Sequence, residues 1–134
     1  PWGAQVSPDA DLVGIPFASG SYDINSGALD CVGLALVWYR RHGFQEAAYA
    51  LEDSLRLLSP NSDWDPVAGL TEALRGDLVL SEPPTPGGGS ELHVSVLTSV
   101  RPLYAISSAR RVGSYLCCPY TIRNVVGIYR PPKG

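Results

Sequence analysis

In the first half of the chain apolar residues recur at helical spacing; in the second half they gather into short strand-like runs. Leu34, Val37 and Trp38 follow an i, i+3, i+4 pattern behind Asp30, a residue type that caps helices, and Gly43 supplies a stop. This spacing predicts a helix opening at Asp30-Cys31. A stripe of Ala48, Leu51, Leu55 and Leu58 predicts a second helix over 45–58, with Glu52 and Arg56 one turn apart as an ion pair and Pro60 ending it. Asp65 as cap and Pro66 at the first helical position predict a third, shorter helix over 66–74. Beyond the Gly76-Asp77 turn the pattern changes to strands over 78–80, 92–98, 103–107, 113–118 and 125–129.

Three stretches lie outside this pattern. Residues 1–11 read as an extended lead-in, 83–90 as an exposed Pro/Gly loop, and 131–134 as a tail. Helices first and antiparallel strands second give one α+β domain over 1–134, with N-terminal helices packed on an antiparallel sheet. No internal repeat is present.

Charge narrows the function classes. A net charge of −3 gives no electrostatic footprint for nucleic acid, and Arg110-Arg111 reads as a solvated turn or strand end. No apolar run reaches the roughly 18–20 residues that span a bilayer, so no membrane insertion is expected. The opening Pro1-Trp2-Gly3-Ala4-Gln5 lacks the regions of a secretory signal, so no signal peptide is expected either. Three cysteines make an odd count, and Cys117 and Cys118 are adjacent, which argues against a disulfide framework. These two read as packed strand residues. Neither a metal site nor a cofactor is expected, because no Cys/His cluster stands at ligand spacing.

Cys31 has a different setting. It stands where a polar, glycine-bearing loop becomes an apolar helix, against unpaired N–H groups and the positive end of the dipole. That position favours thiolate and so suits a nucleophile. The N–H groups of the same turn suit an oxyanion. His93, within Leu92-His93-Val94-Ser95-Val96, offers a base on a strand. Its apolar neighbours predict a neutral imidazole with a depressed pKa. His42 lies roughly 16 Å along the helix from Cys31, too far to serve, and reads as a cation favoured by the helix C-terminus.

Several segments, in order, resemble the landmarks of NlpC-type cell-wall cysteine peptidases. They are Ile15-Pro16-Phe17-Ala18-Ser19-Gly20, Gly27-Ala28-Leu29-Asp30-Cys31-Val32-Gly33-Leu34, Gly76-Asp77-Leu78-Val79-Leu80, Leu92-His93-Val94-Ser95-Val96 and Val125-Val126-Gly127-Ile128-Tyr129-Arg130. The match runs over about residues 12–130, and its form is similar to the phage tail-assembly branch of the family. The resemblance implies a papain-like fold with Cys31 as nucleophile and His93 as general base. Asp30, Gly33 and Phe17 would give support, Phe17 standing where the family often has tyrosine. The third catalytic polar residue falls by gapless reading on Ala105, leaving Tyr104, Ser107, a backbone carbonyl or a water to orient His93.

The implied substrate is the stem peptide of bacterial peptidoglycan, cut at an amide so that the wall opens locally. The implied location is the tail tip of a virion acting on the host envelope, with other tail-tip or hub proteins as partners. A second reading is a structural tail-tip or hub protein that keeps the fold for assembly. On that reading Trp2, Trp64, Tyr129 and the proline-rich tail would dock other chains.

Overall fold

The computed structural model describes residues 9–52, 63–85, 87–89 and 91–132. Two helices, α1 (Cys31–Arg41) and α2 (Gln45–Leu51), precede a sheet built from β1 (Asp65–Pro66), β2 (Leu78–Ser81), β3 (His93–Val100), β4 (Leu103–Ala109), β5 (Gly113–Cys117) and β6 (Val125–Arg130). The strand order is β1-β6-β2-β3-β4-β5, antiparallel at every pairing. The α+β architecture expected from the pattern is therefore the one observed.

The period of two along each strand divides the sheet into two faces. Val94 and Val96 of β3 and Ile106 of β4 meet Leu34, Trp38 and Tyr39 of α1 in the main core. Leu97, Ala105, Val79 and Ile128 face the other way into a smaller cluster with Ala73, against which Cys117 and Ile122 pack. The chain between β5 and β6 crosses from one side of the sheet to the other, so this second face is covered by that connection rather than by helix.

Asp30 starts α1. One carboxylate oxygen accepts from the Gly33 N–H at 2.7 Å and the other from the Gly20 N–H at 2.9 Å, joining the preceding loop to the helix. Gly33 is required by the same contact. A Cβ there would stand 2.2 Å from the Ser21 carbonyl oxygen, so only glycine lets the loop lie against the first turn. Gly43 follows the helix at φ +81°, the expected stop.

Two expectations need correction, and a third lies partly outside the described residues. The segment predicted as a third helix instead opens with β1, where Asp65 and Pro66 pair with Arg130 and Tyr129, and continues into a single 3₁₀ turn, Leu70–Glu72. Pro66 has no N–H to donate, which an edge strand tolerates, and extended Gly69 (φ −176°) separates the two pieces. The second helix is described only as Gln45–Leu51; Arg56 lies outside the described residues, and Glu52 pairs with Arg40 at 2.5 Å. Cys118 is exposed beyond the end of β5, whereas Cys117 is half-buried.

The aromatic residues assigned to docking divide differently. Trp64 is buried in the main core and Tyr129 is packed against it. Trp2 lies outside the described residues.

Candidate active site

Cys31 is the first residue of α1, and His93 is the first residue of β3. Both line one groove of about 520 Å³. The groove opens at the end of the sheet where β2 finishes, β3 begins and the β4–β5 turn lies, beside Phe17 on the loop that Asp30 holds. The sequence separates these residues widely, and the antiparallel register brings them to one end.

Cys31 does not sit in the electrostatic setting expected of it. Burial pushes its thiol above the ordinary value. The Val94 backbone N–H pulls it down, the Asp30 carboxylate pushes it up, and smaller contributions come from the Val32 N–H and Glu91. A helix N-terminus is worth about 0.3–1 kcal/mol to a charge, less than withdrawal from water costs here. The free site therefore holds a thiol. Of the first-turn N–H groups, Gly33's is taken by the Asp30 carboxylate and Leu34's by the Asp30 carbonyl.

The His93 imidazole is lowered from the ordinary value by burial, with Glu91 acting in the opposite sense. It rests neutral, as its apolar neighbours predict. Its Nε2 is hydrogen-bonded to the Ser107 hydroxyl. The Ser95 hydroxyl in turn donates to Ser107 Oγ at 3.1 Å. Of the groups considered for orienting the ring, Ser107 is the one in contact. Tyr104 is exposed further along β4, where its carbonyl accepts from Thr98, and Ala105 faces the smaller core. Ser95 was not singled out in the sequence, although its place two residues after His93 on a strand puts it on the same face.

Cys31 and His93 thus line the same groove, with the sulfur against the backbone N–H of the residue after His93. Among the described residues no hydrogen bond joins the thiol to the imidazole directly.

Because the folded ring is held below 6.5, the unfolded chain takes up this proton first as pH falls. Stability is expected to drop from about pH 6.5 downward and to level off below the lowered folded value. Urea midpoints taken near pH 7 and near pH 5 should fall further for the wild type than for His93→Gln. Equal slopes for the two proteins would contradict this origin.

His42 is the C-cap of α1. Its Nδ1 meets the Arg75 guanidinium at 2.6 Å, and its Nε2 meets the Asp9 carboxylate at 2.8 Å. Arginine only donates, so Nδ1 is the acceptor of this hydrogen bond. The residue belongs to a structural network with Trp38, whose indole N–H also donates to Asp9 at 2.9 Å.

Among the described residues no group of three or more His, Cys, Asp or Glu is placed to hold a metal ion. Among them also, no helix is long and apolar enough to cross a membrane.

No protein-family model matches the chain, and no curated protein matches it. Its fold is similar to the crystal structure of a protein described as similar to lipoprotein, of the NLP/P60 family, from Staphylococcus aureus subsp. aureus Mu50. The TM-score is 0.57 at 17% identity, over 92% of this chain and 39% of that one, so the chain spans about two fifths of that protein's length. What the likeness establishes is the fold: two helices packed on an antiparallel sheet, in the arrangement of an NLP/P60-family structure.

Proposed function

We propose that the chain is a cysteine peptidase that hydrolyses stem-peptide amides of bacterial peptidoglycan. The observation that carries this reading is the shared groove: a cysteine opening a buried helix and a histidine opening β3 both line it, and one ring nitrogen of that histidine is already held by Ser107.

With Nε2–H donating to Ser107, Nδ1 bears the lone pair available to a proton. In the proposed reaction His93 removes the Cys31 proton as the sulfur attacks the scissile carbonyl. Because burial keeps both groups neutral at rest, thiolate and imidazolium arise together during attack. The carbonyl oxygen becomes an oxyanion, for which the Cys31 backbone N–H is a first-turn donor not committed to Asp30. The His93 proton then passes to the leaving amine, and water hydrolyses the thioester, returning the free thiol. Ser107 is a positioning residue, replacing the amide or imidazole side chain usual in proteins that this chain resembles.

The cellular setting we propose is a phage tail tip that opens the host wall locally, the branch resembled by the whole form that runs from Pro16-Phe17 through Asp30-Cys31-x-Gly33-Leu34 to Tyr129-Arg130. The experiment is direct. Purified sacculi incubated with the protein should release new amino termini, and Cys31→Ala should release none. Intact sacculi and intact soluble stem peptides after incubation with wild type would leave the structural tail-tip role as the better account.

A further inference from the structure

The groove holding Cys31 and His93 is positively charged, in a chain whose net charge is −3. Arg110, Arg111 and Arg123 line it against one carboxylate, Glu91. These arginines are not equivalent. Arg110 is engaged, donating to Glu91 at 2.9 Å while its guanidinium lies 5.1 Å over the Phe17 ring. Arg111 and Arg123 make no ion pair or side-chain hydrogen bond among the described residues, and both are exposed.

Their backbones are nonetheless fixed. Arg111 lies in the β4–β5 turn, closed by Ala109 pairing with Gly113. There Gly113 approaches the Ile15-Pro16 segment so closely that a Cβ would stand 2.4 Å from the Ile15 carbonyl oxygen. Arg123 precedes Asn124, whose carbonyl accepts from the Glu82 N–H at 3.0 Å and whose amide donates to the Glu82 carbonyl at 3.3 Å. The sheet order sets where these anchors stand. His93 is on β3; Arg111 follows the adjacent β4, and Arg123 leads into β6, on the opposite side and beyond β2. With strands about 4.8 Å apart, the strand that Arg111 follows and the strand that Arg123 leads into stand roughly 5 and 10 Å to either side of the His93 strand. An extended peptide covers the roughly 15 Å between the two in four to five residues.

We infer that Arg111 and Arg123 are specificity-determining residues that select a peptide carrying a free carboxylate on each side of the scissile amide. This rests on the peptidase reading for the identity of the bond between the two charges. An unpartnered guanidinium on a fixed backbone is suited to a carboxylate, which it holds through paired N–H donors. Arg110, already satisfied by Glu91, would instead shape the groove between them.

Binding separates the inference from catalysis. The probes are a synthetic wall stem peptide with free carboxylates and the same peptide with every carboxylate converted to a primary amide, titrated into the whole chain bearing Cys31→Ala. The free-acid peptide should bind about 100-fold more tightly than the amidated one. Arg111→Gln and Arg123→Gln should each weaken free-acid binding about tenfold and leave the amidated peptide unaffected. Arg→Lys at either position should keep part of the preference, and high salt should remove most of it. Equal affinity for the two peptides, no binding of either, or indifference to both glutamine variants would overturn the inference. Hydrolysis by wild type is scored separately. Cleavage of both peptides at one rate upholds the peptidase and overturns selection by the arginines, whereas preferential binding without cleavage does the reverse.

Discussion

Replacing His93 with glutamine is expected to lower kcat/KM of the proposed hydrolysis by about 10²–10⁴-fold, the range that general-base catalysis supplies. Glutamine can still hydrogen-bond Ser107, so the loss would report proton transfer rather than collapse of the pocket. Circular dichroism and the urea midpoint near pH 7 should stay close to wild type. The site's resting state sharpens the expectation: with burial holding Cys31 as a thiol, little thiolate is present without the base. The acid limb of the rate should lie below pH 6.5, because burial lowers the His93 ring. Ser107→Ala should cost kcat more than KM and shift that limb further down, since an imidazolium without its Nε2 acceptor is harder to form. Ser107→Thr, which keeps the oxygen, should restore the limb. A His93→Gln protein as active as wild type would remove His93 from the mechanism.

The parts of this site that could be read from the sequence are the local ones. The Asp30 cap, the helix start at Cys31 and the alternation around His93 each depend on residues a few positions apart, and each is found where local chemistry puts it. What escaped reading depends on distant partners. β1 exists because Asp65 and Pro66 meet β6, far along the chain, and a Pro after an Asp suits a helix start equally well. Ser107 was one of several candidates because the β3–β4 register slips between Leu97 and Ser99. Val100 pairs with Leu103 and Ser99 with Tyr104, but Leu97 pairs with Ala105, leaving Thr98 as the extra residue of a bulge. A one-residue slip exchanges the faces of a strand. It brings Ser107 rather than Ser108 beside Ser95 and His93, while Ser108 turns to the helix side and donates to the Leu29 carbonyl. The thiolate expectation failed for a different reason: local sequence shows the helix dipole but not the depth of burial that outweighs it.

Arg130→Met is expected to destabilise the fold by about 3–5 kcal/mol, the cost of leaving a buried charge without its partner. Asp77 opens the turn into β2 with its side chain only 1% exposed. Arg130, at the end of β6, donates to its two carboxylate oxygens at 3.1 and 2.9 Å, and the Leu74 N–H adds a third contact at 2.8 Å. The same guanidinium donates to the Glu72 carbonyl at 3.0 Å, so one side chain holds the turn, the 3₁₀ segment and the sheet together. The two partners differ in exposure, and this decides which loss is worse. Arg130 is 36% exposed and can turn to water if Asp77 is removed. Asp77 cannot, and without Arg130 its charge has one backbone N–H in place of a guanidinium. The single variant Asp77→Ala should therefore cost less than Arg130→Met. The double variant Asp77→Ala/Arg130→Met should recover part of what Arg130→Met loses, because it removes the stranded carboxylate. Urea unfolding of the four proteins gives the cycle directly. If the double variant were less stable than Arg130→Met by the full Asp77→Ala cost, the two side chains would be acting independently, and the buried pair would add nothing to the backbone pairing of β6 with β2.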